Sequence, residues 1–239
     1  LTGTSTAAVL TGAGGSGSAN TLIGGTGADT ITGGAGVDKI TGAAGIDVLV
    51  GAAGDDIFSY ATSAEFLASN AVIDTVTGGD GNDTIQVTGA ITIIAADTMA
   101  RVGTVETLAA ATQNSAAKTH SIVIDDAGEL GSITKINLSA DTHATSSGNI
   151  VLTGTSTAAV LTGAGGSSSA NTLIGGTGAD TITGGAGVDK ITGAAGIDVL
   201  VGAAGDDIFS YATSAEFLAS NAVIDTVTGG DGNDTIQVT

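Results

Sequence analysis

A glycine and aspartate pattern that returns every nine residues constrains this chain more than any other feature. Gly24-Gly25-Thr26-Gly27-Ala28-Asp29-Thr30-Ile31-Thr32, followed at once by Gly33-Gly34-Ala35-Gly36-Val37-Asp38-Lys39-Ile40-Thr41, shows it in full. Each unit runs Gly-Gly-x-Gly-x-Asp-x-apolar-x: six residues suited to a turn, then three whose middle side chain can enter a core. Glycine at the first, second and fourth places permits positive φ and leaves carbonyls uncovered, while Ile31 and Ile40 favour a short strand. Two units make one coil of about eighteen residues with a strand on each side and a turn at each end, stacked on the next coil at ~4.8 Å. Turns two units apart then lie one above the other.

The register extends outward from this centre. Gly42 to Val50 and Gly51 to Ser59 keep the first and fourth glycines, the aspartates Asp47 and Asp56 and the apolar eighth residue, with alanine at the second place. Upstream, Gly15 to Ile23 offers Asn20 where a carboxylate is expected, so that end is expected to bind metal weakly or not at all. Downstream, Ser69 to Thr77 carries Asp74 in phase, and Gly78 to Gln86 is again a full match with Asp83.

These nonapeptides resemble those of RTX proteins, a family of calcium-binding parallel β-rolls. The resemblance implies an all-β fold, a right-handed parallel β-roll or β-solenoid with short helical insertions, and several calcium ions as cofactors. Electrostatics leads to the same cation: carboxylates stacked a coil apart between turns of open carbonyls repel until a hard cation enters, and calcium suits such oxygen ligands. The candidate ligands are Asp29, Asp38, Asp47, Asp56, Asp74, Asp80 and Asp83, with the turn carbonyls of Gly24, Gly27, Gly33, Gly36, Gly42, Gly45, Gly78 and Gly81. Stacking pairs Asp29 with Asp47 and Asp38 with Asp56. Asp55 lies in a turn place that is usually solvated, and its role stays open.

Leu1 to Thr88 recurs as Leu152 to Thr239 with one difference in 88 positions, Gly17 against Ser168. The second copy therefore repeats the candidates as Asp180, Asp189, Asp198, Asp207, Asp225, Asp231 and Asp234, with the carbonyls of Gly175, Gly178, Gly184 and Gly187. This fidelity suits recent natural duplication or a deliberately duplicated sequence. It divides the chain into a roll block at 1–88, a connecting segment of wider coils at 89–151 and a second roll block at 152–239. In the connecting segment the glycine-aspartate turns disappear, but β-type runs such as Val105-Glu106-Thr107-Leu108, Ser121 to Ile124 and Ile133 to Leu138 persist. Segments of the Val-Glu-Thr-Leu kind resemble those of bacterial surface-layer and other large secreted RTX proteins. Within each block, Thr62 and Glu65 have capping-box spacing ahead of Phe66 and Leu67, which predicts a helical turn covering one side of the roll. A second helical turn is expected at Asp97 to Val102.

Charge narrows the partners. With 5 basic and 24 acidic residues the formal net charge is −19, which argues against nucleic acid and anionic membrane surfaces. No run approaches eighteen apolar residues, so no membrane span is expected. The start at Leu1 has neither a methionine nor a signal-like segment, as in an excerpt from a longer polypeptide. With 40 glycines, no proline, no cysteine and 3% aromatic residues, small stacked side chains replace an ordinary core.

Catalysis has little support. His120 and His143 are the only histidines, zinc-protease and phosphate-loop motifs are missing, and His120-Ser121 beside Asp125 and Asp126 makes an unconvincing triad. The chain is not expected to be an enzyme. The favoured function is an extracellular, secreted structural protein of the cell surface: a calcium-stiffened repeat of a surface layer, fibre or adhesin stalk. Self-association is expected, and cell-surface polysaccharide is a further partner class. The alternative is the RTX secretion and folding module of a type I secreted enzyme or toxin.

Overall fold

The computed structural model describes residues 1–3, 6–15, 17–65, 74–93, 101–112, 116–124, 132–152, 158–213 and 225–239. Phe66, Leu67, the 97–100 part of the expected helical turn, Asp125 and Asp126 lie outside them. The chain divides into two compact units. The first holds Leu1–Gly89, Ala96–Ala109 and Gly128–Ile133, the second Ala90–Ala95, Ala110–Ala127 and Thr134–Thr239.

The strands are β1 (Val9–Thr11), β2 (Thr21–Gly25), β3 (Thr30–Ala35), β4 (Lys39–Ala43), β5 (Val48–Ala53), β6 (Ile57–Tyr60), β7 (Thr75–Asp80), β8 (Thr84–Val87), β9 (Thr92–Ile93), β10 (Val102–Gly103) and β11 (Thr107–Ala110). They continue as β12 (Thr119–Ile124), β13 (Lys135–Asn137), β14 (Ser147–Leu152), β15 (Val160–Thr162), β16 (Thr172–Ile174), β17 (Thr181–Ala186), β18 (Lys190–Thr192), β19 (Val199–Ala204), β20 (Ile208–Tyr211), β21 (Thr226–Asp231) and β22 (Thr235–Val238).

In the first unit β1-β3-β5-β7-β10 form one parallel sheet, and β2-β4-β6-β8-β11 lie in order in another. In the second, β13-β15-β17-β19-β21 and β9-β12-β14-β16-β18-β20-β22 run in the same manner. Successive strands therefore alternate between sheets, which is the parallel β-roll expected from a period of nine.

Register shows how the sequence makes the coil. Thr30 pairs with Val48 and Lys39 with Ile57, eighteen residues apart, whereas Val48 pairs with Thr75 and Ile57 with Thr84, twenty-seven apart. Nine more residues after Tyr60 thus leave the register of the stack unchanged. Just after Tyr60, Ser63–Glu65 forms a 3-10 turn. Glu65 closes half of the expected capping box, because Thr62 N–H donates to its Oε1 at 2.9 Å.

The eighth-place side chains Leu22, Ile31, Ile40, Leu49 and Phe58 come alternately from the two sheets of the first unit and are fully buried. One apolar residue from each of β2 to β5, and two from each of β6 and β8 (Phe58 with Tyr60, Ile85 with Val87), fill the narrow core, and each is worth ~1.5–3 kcal/mol of burial.

The turns exact a conformational cost where alanine replaces the second glycine. Ala52 adopts φ 88° and Ala43 φ 71°, while Gly79 holds the same place at φ 123°. A methyl group on Gly79 would also collide with the Ala52 carbonyl oxygen. In calcium we expect Ala52→Gly to raise stability by about 1 kcal/mol and Gly79→Ala to lower it by ~2 kcal/mol or more. Urea midpoints check both, and changes of the opposite sign would contradict this account of the turn.

Candidate metal centre

The turn delivers each sixth-place aspartate to the inner edge of the coil. Asp29, Asp38, Asp47, Asp56, Asp74 and Asp83 are at most 3% exposed, as are Asp180, Asp189, Asp198 and Asp207 in the second unit. One carboxylate oxygen of each ties two coils together. Asp29 N–H donates to Asp47 Oδ1, Asp38 N–H to Asp56 Oδ1, Asp47 N–H to Asp74 Oδ1 and Asp56 N–H to Asp83 Oδ1, all at 2.8 Å. In the second unit Asp180 N–H donates to Asp198 and Asp189 N–H to Asp207. The pairs expected from stacking are therefore direct neighbours, and the partners of Asp74 and Asp83 lie 27 residues back instead of eighteen.

The other carboxylate oxygen distinguishes this ladder from a simple turn cap. Among the described residues, Oδ2 of Asp38, Asp47, Asp56, Asp83, Asp189, Asp198 and Asp207 is buried and has no hydrogen-bond partner. In each case it lies over the first glycine of its own unit, and for Asp38, Asp56, Asp189 and Asp207 it faces the carbonyl of the first glycine one coil on. A methyl group on Gly33 would stand 2.5 Å from Asp38 Oδ2 and 2.7 Å from the Gly51 carbonyl oxygen. The same space above Gly184 is bounded by Asp189 Oδ2 at 2.5 Å and the Gly202 carbonyl oxygen at 2.7 Å. Asp56 Oδ2 faces the Gly78 carbonyl, and Asp207 Oδ2 the Gly229 carbonyl, in the same way. A buried carboxylate oxygen without a donor is costly, and a hard divalent cation would satisfy it while also engaging the carbonyl it faces. Among the described residues no group of three His, Cys, Asp or Glu side chains is placed to hold a metal. A cation here would draw most of its oxygens from the main chain.

The remaining candidates differ in their surroundings. Asp29 and Asp180 already accept backbone N–H bonds on both oxygens, from Ala8 and Gly25 at 2.7 and 2.6 Å and from Ala159 and Gly176 at 2.8 and 2.9 Å. Asp225 is half-buried and Asp234 exposed, yet they accept the Asp198 and Asp207 N–H groups at 2.9 and 3.0 Å. Asp80 and Asp231 are exposed at the ends of their strands, outside the buried row. Asp55 accepts the Asn82 N–H at 2.9 Å, joining its turn to the next. Of the candidate carbonyls, those of Gly42 and Gly78 face carboxylates, those of Gly33 and Gly184 face asparagine amides, and those of Gly27, Gly36, Gly178 and Gly187 abut the fourth-place glycine one coil on. The facing carbonyls of Gly51, Gly202 and Gly229 were missed in sequence. Counting from each aspartate to the first glycine of the next coil would have found them.

The coil headed by asparagine shows what the others lack. Asn171 Nδ2 donates to the Gly184 carbonyl at 3.1 Å, to Asp189 Oδ1 at 2.8 Å and to the Ala164 carbonyl at 3.2 Å. Asn20 makes the same set with Gly33, Asp38 and Ala13. An amide nitrogen thus satisfies the carbonyl that elsewhere faces Oδ2, which gives a physical reason for expecting little metal at that coil.

Burial pushes the Asp74, Asp83, Asp189 and Asp198 carboxyls up to about 6, and stacked neighbouring carboxylates add to the rise. Asp47, Asp56, Asp180 and Asp207 are raised for the same leading reason. A raised folded-state pKa favours the protonated form, so this contribution to stability is fully present below pH ~4 and lost as pH rises through about 6. Calcium-stripped protein should therefore become more stable on acidification from pH 7 to 4. Loss of stability over that range in urea titrations would contradict the desolvated carboxylate row.

His120 lies elsewhere. It is fully buried, accepts the Ile91 N–H on Nδ1 at 3.1 Å and holds Asp141 Oδ2 at 3.1 Å from Nε2. The backbone donor fixes the proton on Nε2, toward Asp141. Burial drives the His120 pKa down against the pull of Asp141. Closed off from solvent and bonded on both nitrogens, the pair braces a coil of the second unit.

The sequence model of the RTX calcium-binding nonapeptide repeat matches residues 14–49, 35–60, 69–87, 165–200, 186–211 and 220–237. Comparison with curated proteins finds no match.

Proposed function

Because the chain belongs to the RTX calcium-binding nonapeptide repeat family, we propose that it is a structural module of a secreted, cell-surface protein. Calcium ions lock its coils, and 88-residue blocks recurring at an offset of 151 residues, with one difference between them, supply length to a layer, fibre or stalk. The principal ligands are Asp38, Asp47, Asp56 and Asp83, with Asp189, Asp198 and Asp207 in the second unit. The carbonyls of Gly51, Gly78, Gly202 and Gly229 complete the donor set at Asp38, Asp56, Asp189 and Asp207. Asp29 and Asp180, already bonded on both oxygens, contribute less, and the exposed Asp80 and Asp231 contribute least.

The observation that carries this reading is the row of buried, unpartnered Oδ2 atoms opposed to main-chain oxygens. When bound, calcium supplies only charge neutralisation and a cross-link between coils; the carboxylates hold the register through their Oδ1 bonds. The structural role draws its support from the duplication, since Gly17 against Ser168 is the one change in 88 positions and each copy repeats the same strand pattern. Among the described residues no helix is long and apolar enough to cross a membrane.

Sedimentation in 5 mM calcium, a concentration above the ~0.1–1 mM affinities of extracellular calcium modules, tests the role. A structural repeat should form concentration-dependent assemblies that chelator reverses and that magnesium in place of calcium does not support. A calcium-folded species that stays monomeric at every concentration would instead support a secretion and folding module.

A further inference from the structure

We infer that the first unit carries a calcium site partly built outside the nonapeptides, from Asp83 together with Thr104 and Glu106. The inference rests on the calcium reading of the repeats and extends it to residues that the repeat pattern does not contain. Asp83 is fully buried and its Oδ2 has no partner. Within the repeats such an oxygen faces the first glycine of the following coil, as Asp56 Oδ2 faces Gly78. No nonapeptide follows Asp83. The next coil comes instead from the 101–109 stretch of the same unit, where Val102 pairs with Val76 and Gly103 with Thr77.

That coil reproduces the same oxygens from different residues. A methyl group on Gly78 would collide both with Asp83 Oδ2 and with the Thr104 carbonyl oxygen, so Thr104 stands where a glycine stood in the coils before. Thr104 is held there at φ 49°, a conformation that few non-glycine residues adopt, and its Oγ1 accepts the Gly79 N–H at 2.9 Å. Glu106 stands in for the next aspartate. Its Oε2 accepts the Asp83 N–H at 2.8 Å, as Asp83 Oδ1 accepts the Asp56 N–H at 2.8 Å. Among the described residues no ion pair reaches Asp83 or Glu106. The buried Asp83 Oδ2 and the Thr104 carbonyl therefore meet over Gly78 without a cationic side chain, and Glu106 brings a second carboxylate to the Asp83 main chain beside them. A hard divalent cation is the ligand this chemistry fits.

Glu106→Gln tests the site, because the glutamine carbonyl still accepts the Asp83 N–H while the charge is removed. Calcium bound per chain is counted by equilibrium dialysis for the wild type, Glu106→Gln and the control Glu65→Gln. One calcium fewer in Glu106→Gln alone is expected, and an unchanged count and affinity would overturn the inference. A wild type that binds no calcium would instead defeat the calcium reading of the repeats themselves. Should the glutamine variant fail to fold, hydrogen exchange on the wild type decides. The Asp83, Glu106 and Thr107 amides should gain protection in a calcium step of their own, distinct from that of the coils carrying Asp38 and Asp56, and protection that only follows those coils would overturn the site.

Discussion

Stripped of calcium at neutral pH, the protein should fall to marginal stability, lose much of its β-sheet circular dichroism and expand, and restoring calcium should recover both with a midpoint on the order of 0.1–1 mM. The expectation follows from the row of carboxylates at most 3% exposed, most with an oxygen that no protein group satisfies. At 10–100 times its dissociation constant each site adds about 1.4–2.7 kcal/mol. Three or four such sites are worth roughly 4–11 kcal/mol, comparable with the ~5–15 kcal/mol that holds a typical domain folded. Magnesium should substitute poorly, since it demands octahedral geometry and keeps its waters. A spectrum unchanged between excess chelator and 10 mM calcium, ~10 times the weakest affinity expected of such modules, would remove the metal from the account.

Two substitutions at one position should have opposite consequences in chelator. Asp56→Ala removes the acceptor of the Asp38 N–H, bonded at 2.8 Å, and also the Oδ2 that faces the Gly78 carbonyl. It should lower stability with and without calcium, by about 1–3 kcal/mol in chelator for the buried donor left unpaired. Asp56→Asn keeps Oδ1 and places an amide nitrogen opposite the Gly78 carbonyl, the arrangement that Asn171 makes with Gly184 at 3.1 Å. It should leave chelated protein as stable as the wild type or more so, while weakening the calcium-dependent gain. Urea titrations with and without calcium separate the two variants. If asparagine and alanine behave alike in chelator, the amide is no surrogate for the cation.

The part of the fold legible in sequence is the part with a short, strict period. Ile31, Ile40, Leu49 and Phe58 could be placed in the core from a spacing of nine, and Asp38 beneath Asp56 from a spacing of eighteen. The nine added residues could be seen but not placed, because nothing local says whether an insertion shifts the register of the stack or keeps it. The pairing of Ile57 with Thr84 shows that the register is kept. Beyond Val87 the period fails, and with it the power of the sequence to say which residue stacks on which. Thr119 pairs with Ser147 and Lys135 with Val160, offsets of 28 and 25 residues that no motif announces. Glu106 was visible only as one residue of a β-type run, although its carboxylate continues the ladder beneath Asp83. His120 was weighed against Asp125 and Asp126; Asp141, the carboxylate it holds in the structure, is brought to it by a coil rather than by nearness in sequence.

The central claim is that cations sit between the buried Asp Oδ2 atoms and the opposing glycine carbonyls. Crystals grown in calcium, measured for anomalous scattering, test it at the atoms concerned. Peaks are expected between Asp38 and Gly51, Asp56 and Gly78, Asp189 and Gly202, and Asp207 and Gly229, with none beside the amides of Asn20 and Asn171. A folded roll with no peak at those four places, or with peaks only at the exposed Asp80 and Asp231, would contradict the claim.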